Sequence, residues 1–545
     1  MRGAHLNIKS HKQSRNLVRT IHEMSNQKNI ILDRFSYQDA HQFISVFKEE
    51  KYNTKIVVIA DNKKSKLPPY EGIEIYGDAE IASGNFSQDE SWLIDSRFLQ
   101  ELSIHEGLFI NVVSRFALKS GAWTTREISD HFIELANFWA NRIQKNNINY
   151  CVSFYTPHDP SSLSLYIVCK ILRIPHVYLD IVHVAQKIRF ISCSISERNL
   201  LLRCGCEKTP EWAKELISRY ISQIRKDFNQ AQPFFMSRIK QNIQVPSQSS
   251  NNSWNLLRKI EHFIKKKNIV ERLVDEILPP APLFAKISRE DARGRTDPGG
   301  LKSRMNWLIQ RVLRNYEIRR LRNKYLQLAL HPQSLPSIGR YIYFPLPLEP
   351  EGSTYPGATY ARSAIIAIKR LIAKLPEGCS IIIKSNPIQF SPAIAPYSVF
   401  PPWHAADYYD SIKEMGRIHF ARIDHDQANL IDNSIGIACI NGTAAIEAVA
   451  RGKHAIIFSQ MWYDSLHGIH LCVTESDIEQ AIAAMTNGSV PVPNTNEIKM
   501  CESIIFNQQI HFEDNVPPAI QEAVASAFIS ALNIFDGLDE RKWAV

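Results

Sequence analysis

The sequence lacks the cysteine pattern that would staple or metallate a small domain. Its nine cysteines are an odd number, scattered over 545 residues with no CxxC pair, so neither a disulfide framework nor a zinc site is indicated. Cys204 and Cys206 form only a lone CxC. Long apolar runs are missing as well. None approaches the roughly 18 residues that span a bilayer, and the basic start MRGAHLNIKSHKQSRNL leads into no apolar stretch of the kind a secretory signal carries. A cytoplasmic chain is the expectation. No short-period repeat is visible, which excludes solenoids. The net charge of +9 comes without a recognisable nucleic-acid-binding motif, so no nucleic acid partner is expected.

What is present suits two or three globular domains, with 44% hydrophobic residues over 545 positions. The most informative stretch is residues 435–470, IGIACINGTAAIEAVARGKHAIIFSQMWYDSLHGIH. Ile435 to Ile440 is short, apolar and β-branched enough for a buried parallel strand. The turn Asn441-Gly442-Thr443 follows, then a helix from Ala444 to Ala450 closed by Gly452, then a second strand from Ala455 to Phe458. Such a unit points the first N–H groups of its helix beyond the carboxyl edge of a sheet, where an anion is favoured. Gly442 permits close approach of the backbone. Thr443 can cap the helix and offer its hydroxyl to a phosphate oxygen, and Glu447, one turn on, faces the same way and suits the hydroxyls of a ribose. The bland alternative is a capping threonine beside a solvated glutamate.

Earlier in the chain, strands at Ile30–Leu32 and Ile56–Ile59 flank a helical stretch from Tyr37 to Lys51, a βαβ start. Ser96 to Ala117 has no clear period, whereas Glu127 to Lys145 has an amphipathic helical one. A strand at Tyr150–Tyr155 ends in Thr156-Pro157-His158-Asp159-Pro160, before a helix from Ser161 and a strand at His176–Leu179. His158 and Asp159 are candidates for general base or acceptor ligand; the alternative is a helix-capping Asp159 and a surface His158. From Pro210 to about Leu330 the pattern is helical, with polar loops at residues 244–253 and 288–300 and basic clusters at Lys265–Lys267 and Arg304–Lys324. Those clusters suit either an anionic membrane surface or an ordinary solvated face.

A second α/β region begins with a strand at Tyr341–Phe344 and a loop carrying Glu349, Glu351, Ser353 and Thr354. A helix from Ala361 to Lys374 and a strand at Ser380–Ile383 follow, with Lys384-Ser385-Asn386-Pro387 at the strand's end, where a lysine is placed for a phosphate. The triplet Asp424-His425-Asp426 precedes a short helix at Gln427–Ile431, and Asp426 reads as its cap rather than as a metal ligand. Trp462, Tyr463, His467 and His470 are expected at the ligand edge, the aromatic pair either stacking on a base or sugar or simply packing. Pro517 to Phe535 is a helix suited to crossing back onto the N-terminal region.

The string NGTAAIEAVARGKHAIIFSQMWYD resembles the signature of the bacterial capsule polysaccharide biosynthesis and export proteins, Kdo transferases included, which runs roughly NGT-x-x-x-EA-x-x-x-GK-x-x-x-x-F-x-x-x-WY. Two departures stand out. Where the family tends to have PLH-x-x-PE and K-x-HP, this chain has Pro345-Leu346-Pro347-Leu348-Glu349-Pro350-Glu351 and Lys384-Ser385-Asn386-Pro387. The resemblance implies two Rossmann-like doubly wound α/β domains of GT-B type: residues 1–208 for the acceptor, 209–338 as a helical, basic linker, 339–516 for the nucleotide sugar, and a C-terminal helix at 517–545. It implies a glycosyltransferase using a nucleotide-activated sugar, CMP-Kdo by analogy, on a glycan or lipid-linked glycan, in peripheral contact with the inner membrane. The donor would lie on Lys384, Ser385, Asn386, Asn441, Gly442, Thr443 and Glu447, with Asp159, His158 and Glu351 as catalytic candidates. No metal or other cofactor is expected. A non-catalytic capsule assembly or export factor, and a polyol-phosphate transferase on the same fold, are the alternatives.

Overall fold

The computed structural model of the chain describes residues 28–60, 70–84, 86, 94–113, 125–182, 188–195, 201, 210–226, 228–231, 316–349, 363–390, 404–405, 407–488, 490, 505–507 and 518–536. Glu351, the polar loops at 244–253 and 288–300, Lys265–Lys267 and the 304–315 part of the basic stretch lie outside these residues. Among the described residues no helix is long and apolar enough to cross a membrane.

The first unit starts as its sequence pattern predicts. Strand β1 (Lys28–Phe35) leads to helix α1 (Tyr37–Glu49), whose N-cap Ser36 accepts a hydrogen bond from the Asp39 N–H, and then to β2 (Tyr52–Ile59). The next elements are β3 (Glu74–Gly77), α2 (Asp78–Ala82), α3 (Ser96–Val113), α4 (Thr125–Lys145), β4 (Tyr150–Ser153), α5 (Pro160–Ile171), β5 (His176–Val182) and β6 (Ile188–Ser192). With β14 (Ile505–Asn507) they form a seven-stranded sheet in the order β14-β6-β5-β4-β1-β2-β3. The strands from β5 to β3 run parallel, while β6 and β14 add antiparallel pairs at one edge. Helices cover both faces of a parallel sheet, which explains the nearly unbroken burial of β1 and β4.

The second unit comprises β7 (Ala329–Leu330), β8 (Arg340–Pro345), α7 (Ala364–Lys374), β9 (Cys379–Lys384), α8 (Tyr408–Lys413), β10 (Ile418–Ala421), α9 (Gln427–Asp432), β11 (Gly436–Cys439), α10 (Ala444–Ala450), β12 (His454–Ile457), β13 (Ile469–Leu471) and α11 (Glu475–Asn487). Its seven strands run parallel in the order β13-β12-β11-β8-β9-β10-β7. Gly452 ends α10 with φ +77, a left-handed conformation that needs glycine. The chain is thus of the α/β class, with two Rossmann-like doubly wound sheets. In each, the chain extends the sheet one way and then crosses back: between β1 and β4 in the first, between β8 and β11 in the second. Open α/β sheets bind ligands outside the carboxyl ends of their strands at such switch points.

Helix α6 (Glu211–Lys226) joins the two units. Ile217, Tyr220 and Ile224 on its buried face belong to one apolar cluster that runs from Leu32, Phe35 and Val152 to Ala445, Val449 and Ile457. Helix α12 (Pro518–Asp536) returns to the first unit, where Gln521 Nε2 donates to Asp39 Oδ1 at 2.5 Å and Asp536 pairs with Lys28.

Candidate functional site

At the second switch point, β9 delivers Lys384 and β11 runs into Asn441-Gly442-Thr443. The Lys384 ammonium donates to the His425 carbonyl at 2.5 Å, and its charge is felt by both Asp424 and Glu447. Glu447 is 7% exposed. Its Oε2 accepts from Gln427 Nε2 at 2.7 Å and its Oε1 from the Thr443 hydroxyl at 3.2 Å. Burial pushes the Glu447 carboxyl up to about 7, against the pull of Thr443, Gln427, Lys384 and Arg451.

This corrects two expectations. Thr443 does not cap α10: its backbone is already helical, with φ −60 and ψ −16, so its hydroxyl turns to Glu447 instead. Glu447 is not a solvated side chain but the buried acceptor of a small network tying α10 to α9. Sequence reasoning missed Gln427, which lies 20 positions away; its place as the first residue of a helix beside the switch point was the only available signal.

The neighbouring candidates have defined partners. Ser385 is buried, its N–H donates to Tyr325 Oη at 3.0 Å, and its hydroxyl is 3.2 Å from that of Tyr409. Asn386 Oδ1 accepts from the Ile388 N–H at 3.0 Å, an Asx turn opening the short helix Pro387–Phe390. The Gly442 carbonyl accepts from Tyr463 Oη at 2.9 Å, and Asn441 is buried beside it. Trp462 and Tyr463 are both buried and meet edge to face, so the aromatic pair packs. Asp426 caps α9 and Asp424 forms a two-pronged pair with Arg422, so the Asp-x-Asp triplet is spent on structure, as its capping reading predicts. Glu349, beyond β8, is engaged by the Ala364 N–H at the start of α7 and lies 3.5 Å from His404; burial raises it to about 7 and lowers His404 to about 4. His470 departs from expectation. It sits within β13, its Nε2 2.9 Å from Nδ1 of His454 at the start of β12, because a parallel strand after β12 must first return to the amino edge.

The first switch point holds a buried charged cluster. Arg34 has φ +62, unusual for a residue with a side chain, and its guanidinium pairs with Asp159 and lies 4.0 Å from Asp78. Burial alone would raise Asp159, but Arg34, His158 and the Ser162 hydrogen bonds outweigh it and hold the carboxyl below its ordinary range. Asp33 also feels the Arg34 charge, but less than it feels burial and Asp159. Burial and the nearby Asp159 charge raise it to about 7, although the Ser153 hydroxyl donates to it at 2.7 Å. Asp78 is raised well above its ordinary value, first by burial and then by Asp159. Asp159 is the N-cap of α5, accepting from the Ser162 N–H at 3.0 Å, and His158 Nδ1 lies 2.5 Å from the Thr156 carbonyl. The structure therefore brings Asp159 together with Arg34, Asp33 and Asp78, none of which was a sequence candidate. Two charged residues inside the apolar strand KNIILDRF were the signal for Asp33 and Arg34; Asp78, at the start of α2, had none.

Sequence comparison bears on the second switch point. Residues 307–471 match the family described as capsule polysaccharide biosynthesis protein. That capsule-family segment carries all seven donor-site candidates, from Lys384 to Glu447. No curated protein matches the chain. Solved structures similar to it include UDP-GlcNAc 2-epimerase of Methanocaldococcus jannaschii, at 10% identity over 93% of this chain and 99% of that one with a TM-score of 0.21. Another is UDP-GlcNAc 2-epimerase of Neisseria meningitidis bound to UDP-GlcNAc, at 11% identity over 86% and 96% with a TM-score of 0.20. A third is apo OtsA, at 9% identity over 93% and 99% with a TM-score of 0.27.

Proposed function

We propose that this chain is a glycosyltransferase of surface-polysaccharide assembly, which takes a nucleotide-activated sugar at the second switch point and delivers it to a glycan, free or lipid-linked, at the first. The observation that carries the reading is the coincidence of the capsule-family segment with the β8/β11 switch point, where Lys384 and the Asn441-Gly442-Thr443 turn come together. Lys384 and the 441–443 backbone bind phosphate, and Glu447 exchanges Gln427 for the hydroxyls of a ribose. The lysine charge and fixed backbone dipoles stabilise the departing nucleotide without a metal. An acid sugar on CMP, such as CMP-Kdo, is the donor favoured by the sequence resemblance. On the acceptor side Asp159 is already committed to Arg34, so Asp33 is the better proton acceptor: it is the carboxyl beside that pair whose pKa stands near neutrality.

One observation favours a second reading, a capsule assembly factor without turnover. Asn386 stands where the family tends to have histidine, and its carboxamide is engaged in a turn. Incubating the chain with CMP-, CDP- and UDP-activated sugars and a capsular oligosaccharide, and following nucleotide release, separates the two. Acceptor-dependent release of one nucleotide supports the transferase. Absence of release from every donor, in a chain that still binds nucleotide, leaves the assembly factor.

A further inference from the structure

Beneath the first switch point three potential metal ligands converge, from β4, α5 and β5. Cys151 Sγ, Cys169 Sγ and an imidazole nitrogen of His176 lie within 4.8 Å of one another, and all three residues are buried. The spacing of 151, 169 and 176 follows no metal-binding motif. Parallel pairing of β4 with β5 sets Cys151 opposite His176, and α5 packs over both.

The hydrogen bonds around His176 determine which nitrogen is available. Ser153 Oγ donates to Asp33 Oδ2 at 2.7 Å, so the same oxygen accepts from His176 Nε2 at 2.6 Å. Nε2 therefore carries the proton. Nδ1 keeps its lone pair, and it is a buried atom with no hydrogen-bond partner. An unengaged acceptor at such depth is destabilising unless something binds it. A ligating histidine whose other nitrogen is held through a hydrogen-bonded carboxylate is a recurrent feature of metal centres.

We propose that Cys151, Cys169 and His176 Nδ1 form a buried site for a thiophilic d10 ion, Zn(II) or Cu(I). Two thiolates and one imidazole are soft and borderline donors suited to these ions and unsuited to magnesium or calcium. Bond lengths of about 2.3 Å to sulfur and 2.1 Å to nitrogen set ligand atoms roughly 3.5–4 Å apart, so closing on an ion requires movements of about 1 Å or less. Binding converts both thiols to thiolates and releases two protons to solvent. The ion ties α5 to β4 and β5, and through His176 and Ser153 it fixes the orientation of Asp33. Binding of the ion itself does not depend on the glycosyltransferase reading.

The test is the metal content of the full chain, expressed without a histidine tag and measured by elemental mass spectrometry after gel filtration. Titration with Zn(II) alone and Cu(I) alone against a competing chelator follows. One ion per chain is expected for the wild type, and near zero for Cys169→Ala and Cys151→Val. Ser153→Ala leaves the three ligands intact and weakens affinity by about 10–100-fold, the usual cost of removing an outer partner; this variant keeps the test decisive if the cysteine variants do not fold. A folded wild type that carries neither ion and binds neither overturns the proposal. So does an ion retained equally in Cys169→Ala and Cys151→Val, which would belong to other cysteines.

Discussion

Replacing Glu447 with glutamine separates the electrostatic cost of this group from its use. Glutamine keeps the shape and both contacts, since its carbonyl accepts from Gln427 and its amide donates to the Thr443 hydroxyl. In the folded chain the Glu447 carboxyl holds its proton up to about pH 7, against an ordinary value of 4.5. At about 1.4 kcal/mol for each tenfold change in proton affinity, that difference is worth about 3 kcal/mol. The sign follows from proton counting. Below 4.5 the carboxyl is protonated in both states and nothing is lost; as pH rises toward 7 the unfolded chain releases the proton first, so stability falls until the folded carboxyl also ionises. Glu447→Gln should therefore match the wild type near pH 4.5 and exceed it by about 3 kcal/mol at pH 8. Scanning calorimetry reads this as a gain of roughly 6–12 °C in the transition of the second unit, at about 2–4 °C per kcal/mol for 150–250 residues. Asp33 and Glu349 titrate in the same window, so the difference between variant and wild type is the quantity to follow. A difference that stays flat from pH 5 to pH 8 refutes the assignment of a buried, proton-holding Glu447.

Further outcomes follow from the same contacts. Arg34→Met removes the partner of Asp159 and leaves buried carboxyls uncompensated, so it should destabilise by about 3–5 kcal/mol in urea unfolding. Gly436→Ala puts a methyl group 2.7 Å from Met485 Sδ and 2.9 Å from the His454 carbonyl; the overpacking should cost about 1–3 kcal/mol, read as a lower melting temperature. Tyr325→Phe deletes the hydroxyl that donates to the Ala421 carbonyl at 2.5 Å and accepts from the Ser385 N–H. It should cost about 1–3 kcal/mol and weaken nucleotide binding by loosening the end of β9.

Much of the fold was legible because the physics behind it is local. Residues 435–458 carried an apolar run, a small-residue turn, a helix and a glycine stop, and β11, α10 and β12 formed there. The stretch from Ser96, which had no clear period, is helix α3 with Leu102, Phe109, Val112 and Val113 buried; its polar face is interrupted by Ile104, 78% exposed, which blurs the helical signal. The sites were less legible, since their contacts join distant segments. Glu447 and Thr443 could be chosen from spacing, whereas the Gln427 bond that holds Glu447 depends on how α9 packs against α10. Asp159 could be chosen from its turn, but its engagement by Arg34 requires the parallel pairing of β1 with β4. The three ligand atoms of Cys151, Cys169 and His176 meet for the same reason, through β4, β5 and the helix above them.

Nucleotide binding at the second switch point, as proposed, is tested most directly by calorimetric titration, with CMP, CDP and UDP added in turn to the wild type and to Glu447→Gln. One of the three is expected to bind selectively, more tightly as pH rises through 7 and the Glu447 carboxyl ionises, and the variant to lose both the selectivity and the pH dependence. Absence of binding by all three at millimolar concentration, or equal binding by wild type and variant across that pH range, would contradict it.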